Sequence, residues 1–392
     1  SSAASDVYKR QLYLFISFME DSGYLARAAF IMDRVMHRIG VHGKSFIPLI
    51  MGFGCNVPAI MACRTIESRS SRLITILITP FMSCSARIPI YLLLAGTFFA
   101  ADAGLVMLGL YVLGIVLAVV TARLMRRFLF PVDETPFVME LPPYRLPTWK
   151  TTFSHMWDKC AQYLKKMGGM ILIASVVVWF LSYYPRTDAT AGSEAHYENS
   201  YLGRLGKGCE PVFSPLGFNW KASVALLSGL PAKEIVVSTL GVLYSDGGEA
   251  ATAPGAGTTE IVTGSGEKIE IGNLPEGSIA IIGGADGQTA IRIAENAGAQ
   301  VSTGTQAGKV AELPGEDEET VNLSRKLLAS GDFTQASALA FLVFILLYFP
   351  CIATIAAIGA EAGWKWAAAA VAYNTVLAWV VAWAVYRLFM WL

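Results

Sequence analysis

Gly52-Phe53-Gly54-Cys55-Asn56-Val57-Pro58 is the stretch of sequence that decides the fold, and Tyr348-Phe349-Pro350-Cys351-Ile352-Ala353-Thr354 repeats its pattern near the other end of the chain. Each stretch places a cysteine near a proline inside an apolar run of membrane length. Because proline removes a backbone donor and clashes with the preceding turn, a continuous helix is unfavourable in both. We expect unwound backbone with free carbonyl groups at membrane depth, beside a soft sulfur ligand. This combination is typical of a position where a transition-metal ion is bound inside a bilayer.

The composition identifies lipid as the surrounding solvent. Apolar residues make up 54% of the 392 residues and charged residues 15%, and the mean hydropathy is +0.49. These values exclude an ordinary soluble protein and predict an all-α, polytopic transmembrane helix bundle in a lipid bilayer. The net charge is zero and no long basic run is present, which argues against nucleic acid as a partner. The six cysteines show no close pairing pattern, so we expect reduced thiols.

Seven apolar runs are predicted as membrane segments: 46–62, 73–100, 105–124, 170–184, 222–244, 336–358 and 366–392. The first run contains two prolines and two glycines, and basic residues flank it on both sides. This flanking charge favours a re-entrant segment that enters and leaves on the cytoplasmic side, with a broken spanning helix as the alternative. The basic segment 123–166 is predicted to be cytoplasmic, with an amphipathic surface helix over 149–167.

Cys55 is the strongest candidate for a metal ligand. The glycines before it permit close backbone approach, Asn56 adds an amide oxygen, and Pro58 interrupts the helix. Cys351 repeats the arrangement, with Pro350 before it and Thr354 one turn later to bond the freed carbonyls. The alternative for each cysteine is a small buried apolar side chain, here beside a proline kink.

Further candidates lie in two other apolar runs. Met82 and Cys84 are secondary ligand candidates, with core packing as the alternative. Arg87 is expected to face the bundle interior and to hold a carboxylate or carbonyl groups, because an unpaired charge at membrane depth is costly. Glu234 either neutralises a bound dication or pairs with Lys233 or Arg87 and stabilises the fold.

Several motifs together resemble the membrane domain of FeoB-type ferrous iron transporters. They are Glu20-Asp21-Ser22-Gly23-Tyr24-Leu25-Ala26-Arg27-Ala28-Ala29-Phe30, then residues 52–62 and 80–87, then Thr135-Pro136-Phe137-Val138-Met139-Glu140-Leu141-Pro142, Ala232-Lys233-Glu234 and residues 350–354. The resemblance covers nearly the whole chain, except residues 1–11 and a Gly-, Ala- and Thr-rich insertion.

The resemblance implies a multi-pass importer of Fe2+ in the bacterial inner membrane. In that family the cysteines that match Cys55 and Cys351 are the usual candidates for handling iron. The resemblance also implies an N-terminal domain, outside this fragment, that binds GTP and Mg2+. The fragment itself is then not an enzyme. A small accessory Feo-type protein and a homo-oligomer are expected as partners.

On this basis we predict six regions. They are a non-native scar or tail (1–11), a first gate-type membrane repeat (12–100), a transmembrane helix with cytoplasmic connector and amphipathic helix (101–167), a second gate-type membrane repeat (168–245), a small soluble insertion (246–335) and a C-terminal transmembrane helix pair (336–392). Both repeats should contain broken or re-entrant helices. Within the insertion we expect strands at 268–271 and 278–282, a short helix over 289–297, and a cytoplasmic position.

Two other functions remain open from the sequence. A gate-type permease for a nucleoside or another small solute would use the same helix architecture, with aromatic and amide residues rather than thiols at its breaks. A membrane decarboxylase-type sodium pump is the enzymatic alternative. Residues 281–291 resemble a loop of the β subunits of those pumps, but this match is too short to carry function.

Overall fold

The computed structural model describes residues 11, 14, 17–19, 22–130, 148–185, 194–244, 318–348 and 350–391, together with four short strands between 259 and 292. The predicted tail, the proline-rich connector around 135–142, and Glu20 and Asp21 lie outside the described residues. The chain forms two compact units, one from Ser1–Gly248 with Val310–Leu392 and the other from Glu249–Lys309.

The first unit is built from helices, which confirms the all-α prediction for the membrane part. The helices before the connector are α1 (Tyr24–Ile39), α2 (Phe46–Gly54), α3 (Asn56–Ala62), α4 (Arg69–Ile78), α5 (Ile88–Phe98) and α6 (Ala103–Phe128). Those after it are α7 (Trp149–Tyr183), α8 (Glu194–Asn199), α9 (Tyr201–Phe213), α10 (Trp220–Ser228), α11 (Ile235–Tyr244), α12 (Glu318–Ser330), α13 (Gln335–Leu347), α14 (Ile352–Ala362) and α15 (Trp364–Trp391).

The second unit contains two antiparallel strand pairs among its described residues. They are β1 (Thr259–Val262) with β2 (Lys268–Ile271), and β3 (Ala280–Gly283) with β4 (Thr289–Arg292). The strands predicted at 268–271 and 278–282 are therefore present. The helix predicted over 289–297 is wrong at its start, because β4 pairs there with β3. Residues 318–335 of the predicted insertion belong to the first unit instead.

Four stretches of the described chain are long and apolar enough to cross a membrane: Arg69–Phe98, Ala103–Phe128, Gln335–Ala362 and Trp364–Trp391. The first and third are each interrupted near their middle, between α4 and α5 and between α13 and α14. In their most apolar windows 72% and 82% of the residues are buried, against 17% and 22% for the two uninterrupted stretches. The broken helices therefore lie inside the unit, and the intact helices α6 and α15 face the lipid.

The segment 46–62 is a helical hairpin, as predicted from its flanking charges. The backbone is extended at Cys55, between α2 and α3. Lys44 Nζ, before the hairpin, lies 2.6 Å from Glu67 Oε1, which follows it. The Ser45 hydroxyl also lies 2.8 Å from that of Thr75. Because both ends of the segment meet on one side of the unit, it is re-entrant.

The segment 220–244 is a second hairpin, and its prediction as a spanning helix is wrong. Asn219 Nδ2 donates to Tyr244 Oη at 3.4 Å, and Lys221 Nζ lies 4.8 Å from the centre of the Tyr244 ring. Both ends of this segment therefore also meet on one side. The chain turns back at Pro231, where a continuous helix would lack a backbone donor.

The two hairpins enter from opposite sides of the bundle. We call the end of the unit where α1 and α6 end the basic side; there Arg123 donates to the carbonyl oxygen of Arg38. The first hairpin opens on this side. The second opens on the far side, where Phe333 contacts both Tyr244 and Phe98, the last residue of α5. A hairpin followed by a broken span thus occurs twice with inverted direction, which is the arrangement of inverted-repeat transporters.

The ends of the second hairpin and of the segment that precedes α13 meet on the far side, where the rings of Tyr244 and Phe333 contact each other. The cytoplasmic position of the insertion stays a prediction.

The amphipathic helix predicted over 149–167 and the span predicted over 170–184 are one continuous helix. α7 has 35 residues, and Gly168 and Gly169 in its middle do not interrupt it. A helix satisfies every internal backbone donor and acceptor, and in lipid that advantage exceeds the modest helix preference lost at two glycines.

Polar caps start the buried helices. The Ser68 side chain accepts from the backbone N–H of Ser71 at the start of α4, and Asn219 Oδ1 accepts from Ala222 N–H at 3.0 Å at the start of α10. Thr334 and Ser337 form a reciprocal capping box at the start of α13. Each cap satisfies a donor that would otherwise be buried without a partner.

Candidate functional site

Four breaks in apolar helices form the candidate site. They are Cys55 between α2 and α3, residues 79–87 between α4 and α5, residues 229–234 between α10 and α11, and residues 348–351 between α13 and α14. The last three contain Pro80, Pro231 and Pro350, respectively. The breaks at Cys55 and at 229–234 are the tips of the two hairpins, and the other two breaks interrupt spans. Each repeat, a hairpin followed by a broken span, therefore supplies one break of each kind.

Hydrogen bonds join each hairpin tip to the broken span of its own repeat. The Ser85 hydroxyl donates to the carbonyl oxygen of Gly54 at 2.9 Å, and the backbone N–H of Ile352 donates to the carbonyl oxygen of Leu230 at 3.2 Å. Both accepting carbonyls are freed by the interruption of a helix. The two repeats therefore use the same device, with a side-chain donor in one and a backbone donor in the other.

The two main candidate cysteines occupy equivalent positions on neighbouring helices. Cys55 is the N-cap residue of α3, and Cys351 is the N-cap residue of α14. At the other ends of these helices, the guanidinium of Arg64, just after α3, makes a bidentate ion pair with the carboxylate of Glu361, in the last turn of α14, with Nε 2.7 Å from Oε2. The two helices therefore run in the same direction, and their thiols lie at the same end.

The thiols share one apolar surface. We call it the shared cluster; it consists of Val57, Ile60, Cys63, Ile66, Ile76, Leu77, Ala353, Ala356, Ala357, Ile358, Ala367 and Ala370. Cys55 and Cys351 are both half-buried and both pack against it. Cys55 and Cys351 therefore lie against the same apolar surface rather than on opposite outer faces. The Cys351 sulfur lies 3.2 Å from the Thr354 hydroxyl, so this threonine contacts the thiol itself.

The depth of the thiols follows from helix length. Ten residues separate Cys351 from Glu361, which lies on the basic side, and a helix rises about 1.5 Å per residue, so the thiol lies about 15 Å below that end. The hydrocarbon core of a bilayer is about 30 Å thick. Cys351, and with it Cys55 on the parallel helix, therefore lies near the midplane.

Met82 and Asn56 meet at Gly52, where the first hairpin contacts the first broken span. A Cβ atom at Gly52 would lie 3.0 Å from Met82 Cβ and 3.5 Å from Asn56 Oδ1. The close approach expected from this glycine is present. Asn56 Oδ1 is buried and has no hydrogen-bond partner among the residues that the structure describes.

Arg87 and Lys233 hold the breaks in shape by bonding to freed carbonyls. Arg87 is fully buried and donates to the carbonyl oxygens of Met82 and Pro80, both at 3.1 Å, as predicted in its carbonyl-binding alternative. Lys233 Nζ donates to the carbonyl oxygen of Ile345 at 3.3 Å, near the end of α13. Each cation thus replaces backbone donors that the interrupted helix lacks.

Cys84 and Glu234 complete the set of predicted residues. Cys84 is half-buried in the break at 79–87. Glu234 is partly buried and directly precedes α11. Arg87 and Lys233 donate to carbonyl groups of the interrupted helices.

The ligand set is open rather than a closed cage. Within the described ranges, no group of three or more His, Cys, Asp or Glu side chains is placed to hold a metal ion. The candidate ligands around the breaks are instead thiols, a thioether, an amide oxygen and backbone carbonyls. The sequence analysis did not identify Ser85 or the Arg64–Glu361 pair as important, because the partners lie far away along the chain and no local pattern indicates them. The burial of Lys233 could have been predicted from the apolar run around it.

Two family models match the chain. The Gate model, described as nucleoside recognition, matches residues 12–98 and 164–365. A second model, described as the C terminus of ferrous iron transport protein B, matches residues 107–159. No solved structure gives a significant match.

Curated relatives match along most of the chain. A protein from Porphyromonas gingivalis named Fe(2+) transport protein A/Fe(2+) transporter FeoB fusion protein is 48% identical, over 96% of this chain and 41% of its own length. The Fe(2+) transporter FeoB of Methanocaldococcus jannaschii is 38% identical over 95% of this chain and 45% of its own length. The Fe(2+) transporter FeoB of Campylobacter jejuni is 47% identical over 60% of this chain and 39% of its own length. The chain spans less than half the length of these relatives.

Proposed function

Since this chain belongs to the Gate family, and within it to the FeoB ferrous iron transporters, we propose that it forms the membrane path along which Fe2+ crosses the bilayer. Its membrane segments act as a permease, and no catalytic step is assigned to them. The relatives are named Fe(2+) transporters, and none of those described above is named for nucleosides or for sodium pumping, so these two alternatives gain no support.

The observation that carries the proposal is the pairing of Cys55 and Cys351 near the midplane. Hairpin tips from the two sides of the membrane and two broken spans supply unwound backbone there. Substrate sites of inverted-repeat transporters lie near the midplane, where discontinuous helices from both repeats meet. The site in this chain has that geometry and adds two thiols to it.

The ligand chemistry fits a ferrous ion in transit. We assign Cys55 and Cys351 as the principal ligands, and Asn56, Met82, Cys84 and Glu234 as further ligands used along the path. Sulfur ligands favour a transition metal over Mg2+ or Ca2+, and amide and carboxylate oxygens complete its coordination. Because transport requires release as well as binding, a set of ligands that never closes into a rigid cage suits the task.

Movement of the hairpins provides the gate in this proposal. A hydrogen bond joins each tip to its broken span: Ser85 donates to Gly54 in the first repeat, and Ile352 donates to Leu230 in the second. Breaking one such bond frees one tip while the other remains closed. Opening the two tips in turn would give access from one side of the membrane at a time.

The remaining parts of the transporter are also proposals. We place the chain as a multi-pass protein in the bacterial inner membrane, with a second copy as a partner. Its regions are the six predicted above, except that residues 318–335 join the first unit. GTP and Mg2+ would act in an N-terminal domain outside this chain. The Porphyromonas relative is named as a fusion with Fe(2+) transport protein A, which supports a small accessory protein of that type as a partner.

The test is uptake of reduced iron into liposomes that contain the chain, alone and joined to the N-terminal region of a FeoB relative. We expect Fe2+ uptake that Cys55→Ser and Cys351→Ser each reduce by about tenfold or more, since serine is a poor ligand for this metal. Cys63→Ser is the matched control, because Cys63 is fully buried and its thiol donates to the Ala59 carbonyl. Unchanged uptake in both site variants would remove the thiols from the mechanism, and uptake of a nucleoside or of sodium instead would reject Fe2+ as the substrate.

A further inference from the structure

α15 carries a single polar residue on its buried face. The face consists of Ala367, Ala370, Asn374, Ala378 and Ala382, spaced three or four residues apart. The four alanines allow close packing of α15 against its neighbours. Asn374 interrupts this otherwise apolar face in the middle of an intact helix, far from any cap or turn that would explain it.

Asn374 is fully buried and unsatisfied. Its exposed fraction is 0%, and neither Oδ1 nor Nδ2 has a hydrogen-bond partner among the described residues. Burial of an amide is unfavourable unless both its donor and its acceptor are paired. An amide left unpaired on both atoms therefore indicates a small molecule that pairs with it in the membrane.

Asn374 lies at the depth of the thiols. Ten residues separate it from Trp364, whose ring packs over Gly359 near the basic side, so at about 1.5 Å per residue it lies about 15 Å from that end. At the far side, Gln335 bonds to the Phe98 carbonyl and Phe389 contacts Phe99. Residues 335–359 therefore run antiparallel to residues 364–389, and the break at 348–351 lies about level with Asn374.

The surroundings of Asn374 place it at the boundary between two cores. Ala370, one turn before it, belongs to the shared cluster against which Cys55 and Cys351 pack. Ala378, one turn after it, belongs to the larger apolar cluster that includes α13. The asparagine thus lies where α13 ends and α14 begins, at the interruption that carries Cys351.

We propose that Asn374 binds water at the midplane and that α15 thereby forms one wall of the ion path. The molecule that satisfies Asn374 has to donate to Oδ1 and accept from Nδ2, and water does both. A bare cation could only be coordinated by Oδ1 and would leave Nδ2 without an acceptor. The assignment of this water to the ion path rests on the proposed function. An ion that exchanges water for thiol ligands near Cys351 would find a polar group here that holds the displaced water.

The test measures water access by cysteine reactivity. Asn374→Cys, Ala378→Cys and Val376→Cys are treated in liposomes with aminoethyl methanethiosulfonate, and labelling is measured residue by residue by mass spectrometry. Ala378 is buried on the same face of α15, and Val376 is 63% exposed on the lipid side. We expect the cysteine at 374 to react about tenfold faster than either control, because the reagent attacks only a hydrated thiolate. Fe2+ should slow the reaction at 374 alone.

The outcomes separate the two claims. Equal, slow labelling at all three positions overturns the bound water. Fast labelling at 374 that Fe2+ does not slow confirms water there and rejects its place on the ion path, whatever the uptake assay shows. Asn374→Leu provides a second measurement: a dry site predicts a higher melting temperature for this variant, and a hydrated site predicts an unchanged or lower one together with reduced Fe2+ uptake.

Discussion

Arg64 donates two hydrogen bonds to the carboxylate of Glu361, a residue 297 positions further along the chain. The bond joins the ends of α3 and α14, and these two helices carry Cys55 and Cys351 at their starts. The relative position of the two thiols is therefore set, from the opposite ends of these two helices, by an ion pair on the basic side of the membrane.

Loss of this ion pair should destabilise the fold and separate the two helices. Glu361 is only 11% exposed, so Arg64→Ala leaves a mostly buried carboxylate without its partner. We expect a loss of about 1–3 kcal/mol in unfolding free energy, measured by thermal or denaturant unfolding in detergent. Lys207→Ala is the matched control, since its pair with Glu198 is half-exposed and should be worth under about 1 kcal/mol. Equal effects of the two variants would contradict the role of Arg64.

Lys233 should control the shape of the break that carries Cys351. It donates to the Ile345 carbonyl, and its ammonium lies 4.2 Å from the centre of the Tyr348 ring. Lys233→Met keeps the length of the side chain and removes both contacts. We expect the chain to remain folded while alkylation of Cys351 by N-ethylmaleimide accelerates by about threefold or more, because the break opens more often.

The control for this prediction is Lys221→Met. Lys221 also lies over an aromatic ring, that of Tyr244, yet at the open end of the second hairpin. It should leave the reactivity of Cys351 unchanged. If both variants alter the alkylation rate equally, Lys233 has no special connection to the break.

Gly52 should not tolerate a side chain. A Cβ atom there would lie 3.0 Å from Met82 Cβ, so Gly52→Ala has to push the first hairpin away from the first broken span. We expect a destabilisation of about 1–3 kcal/mol and reduced iron uptake. Gly109→Ala provides the comparison, because its Cβ would meet nothing within 4 Å. Because alanine is favoured over glycine in a helix, Gly109→Ala should be neutral or slightly stabilising. A Gly52→Ala protein that is stable and active would refute the close packing at Gly52.

Stability should fall with acidification through His42. This residue is buried at the basic side, and its Nδ1 accepts from the backbone N–H of Lys44 at 3.1 Å. Burial, and after it the charge of Lys44, lowers the pKa of His42 below its ordinary value of 6.5. His37 also lowers this pKa, whereas the carboxylates of Asp33 and Glu67 raise it. The unfolded chain then binds this proton more tightly, so stability present above about pH 6.5 is lost as the pH falls through the lower pKa of the folded state.

The measurement is the melting temperature in detergent between about pH 7.5 and pH 5, for the native chain and for His42→Gln. Glutamine keeps an acceptor for the Lys44 N–H and has no titrating group, so its melting temperature should decline less. A parallel decline in both proteins would assign the acid sensitivity to other groups.

Local sequence was enough to identify the interruptions in the helices. Pro58, Pro80, Pro231 and Pro350 act within one turn of their own position, because the missing donor and the ring clash are local effects. The first hairpin was predictable for a similar reason, since its flanking basic residues favour one side of a membrane. The candidate ligands Cys55 and Cys351 followed from their position beside these interruptions.

The second hairpin was not predictable in this way. Its segment is apolar and long enough for a crossing, and the bond between Asn219 and Tyr244 that closes it forms only in the folded chain. The same holds for the partners of the buried polar groups. The sequence shows that Arg87 and Lys233 lie in apolar runs, and it leaves open which carbonyls they meet.

The sequence by itself determined that this protein lies in a membrane, where its helices are interrupted and which thiols stand at the interruptions, because hydropathy, proline and charge act on the chain near their own positions. Only the tertiary structure decided that the two repeats face each other in opposite directions, that α3 and α14 run in parallel, and that Asn374 lies level with the thiols. Those relationships depend on contacts between residues far apart along the chain, and helix packing determines them once each segment has turned back into the bundle.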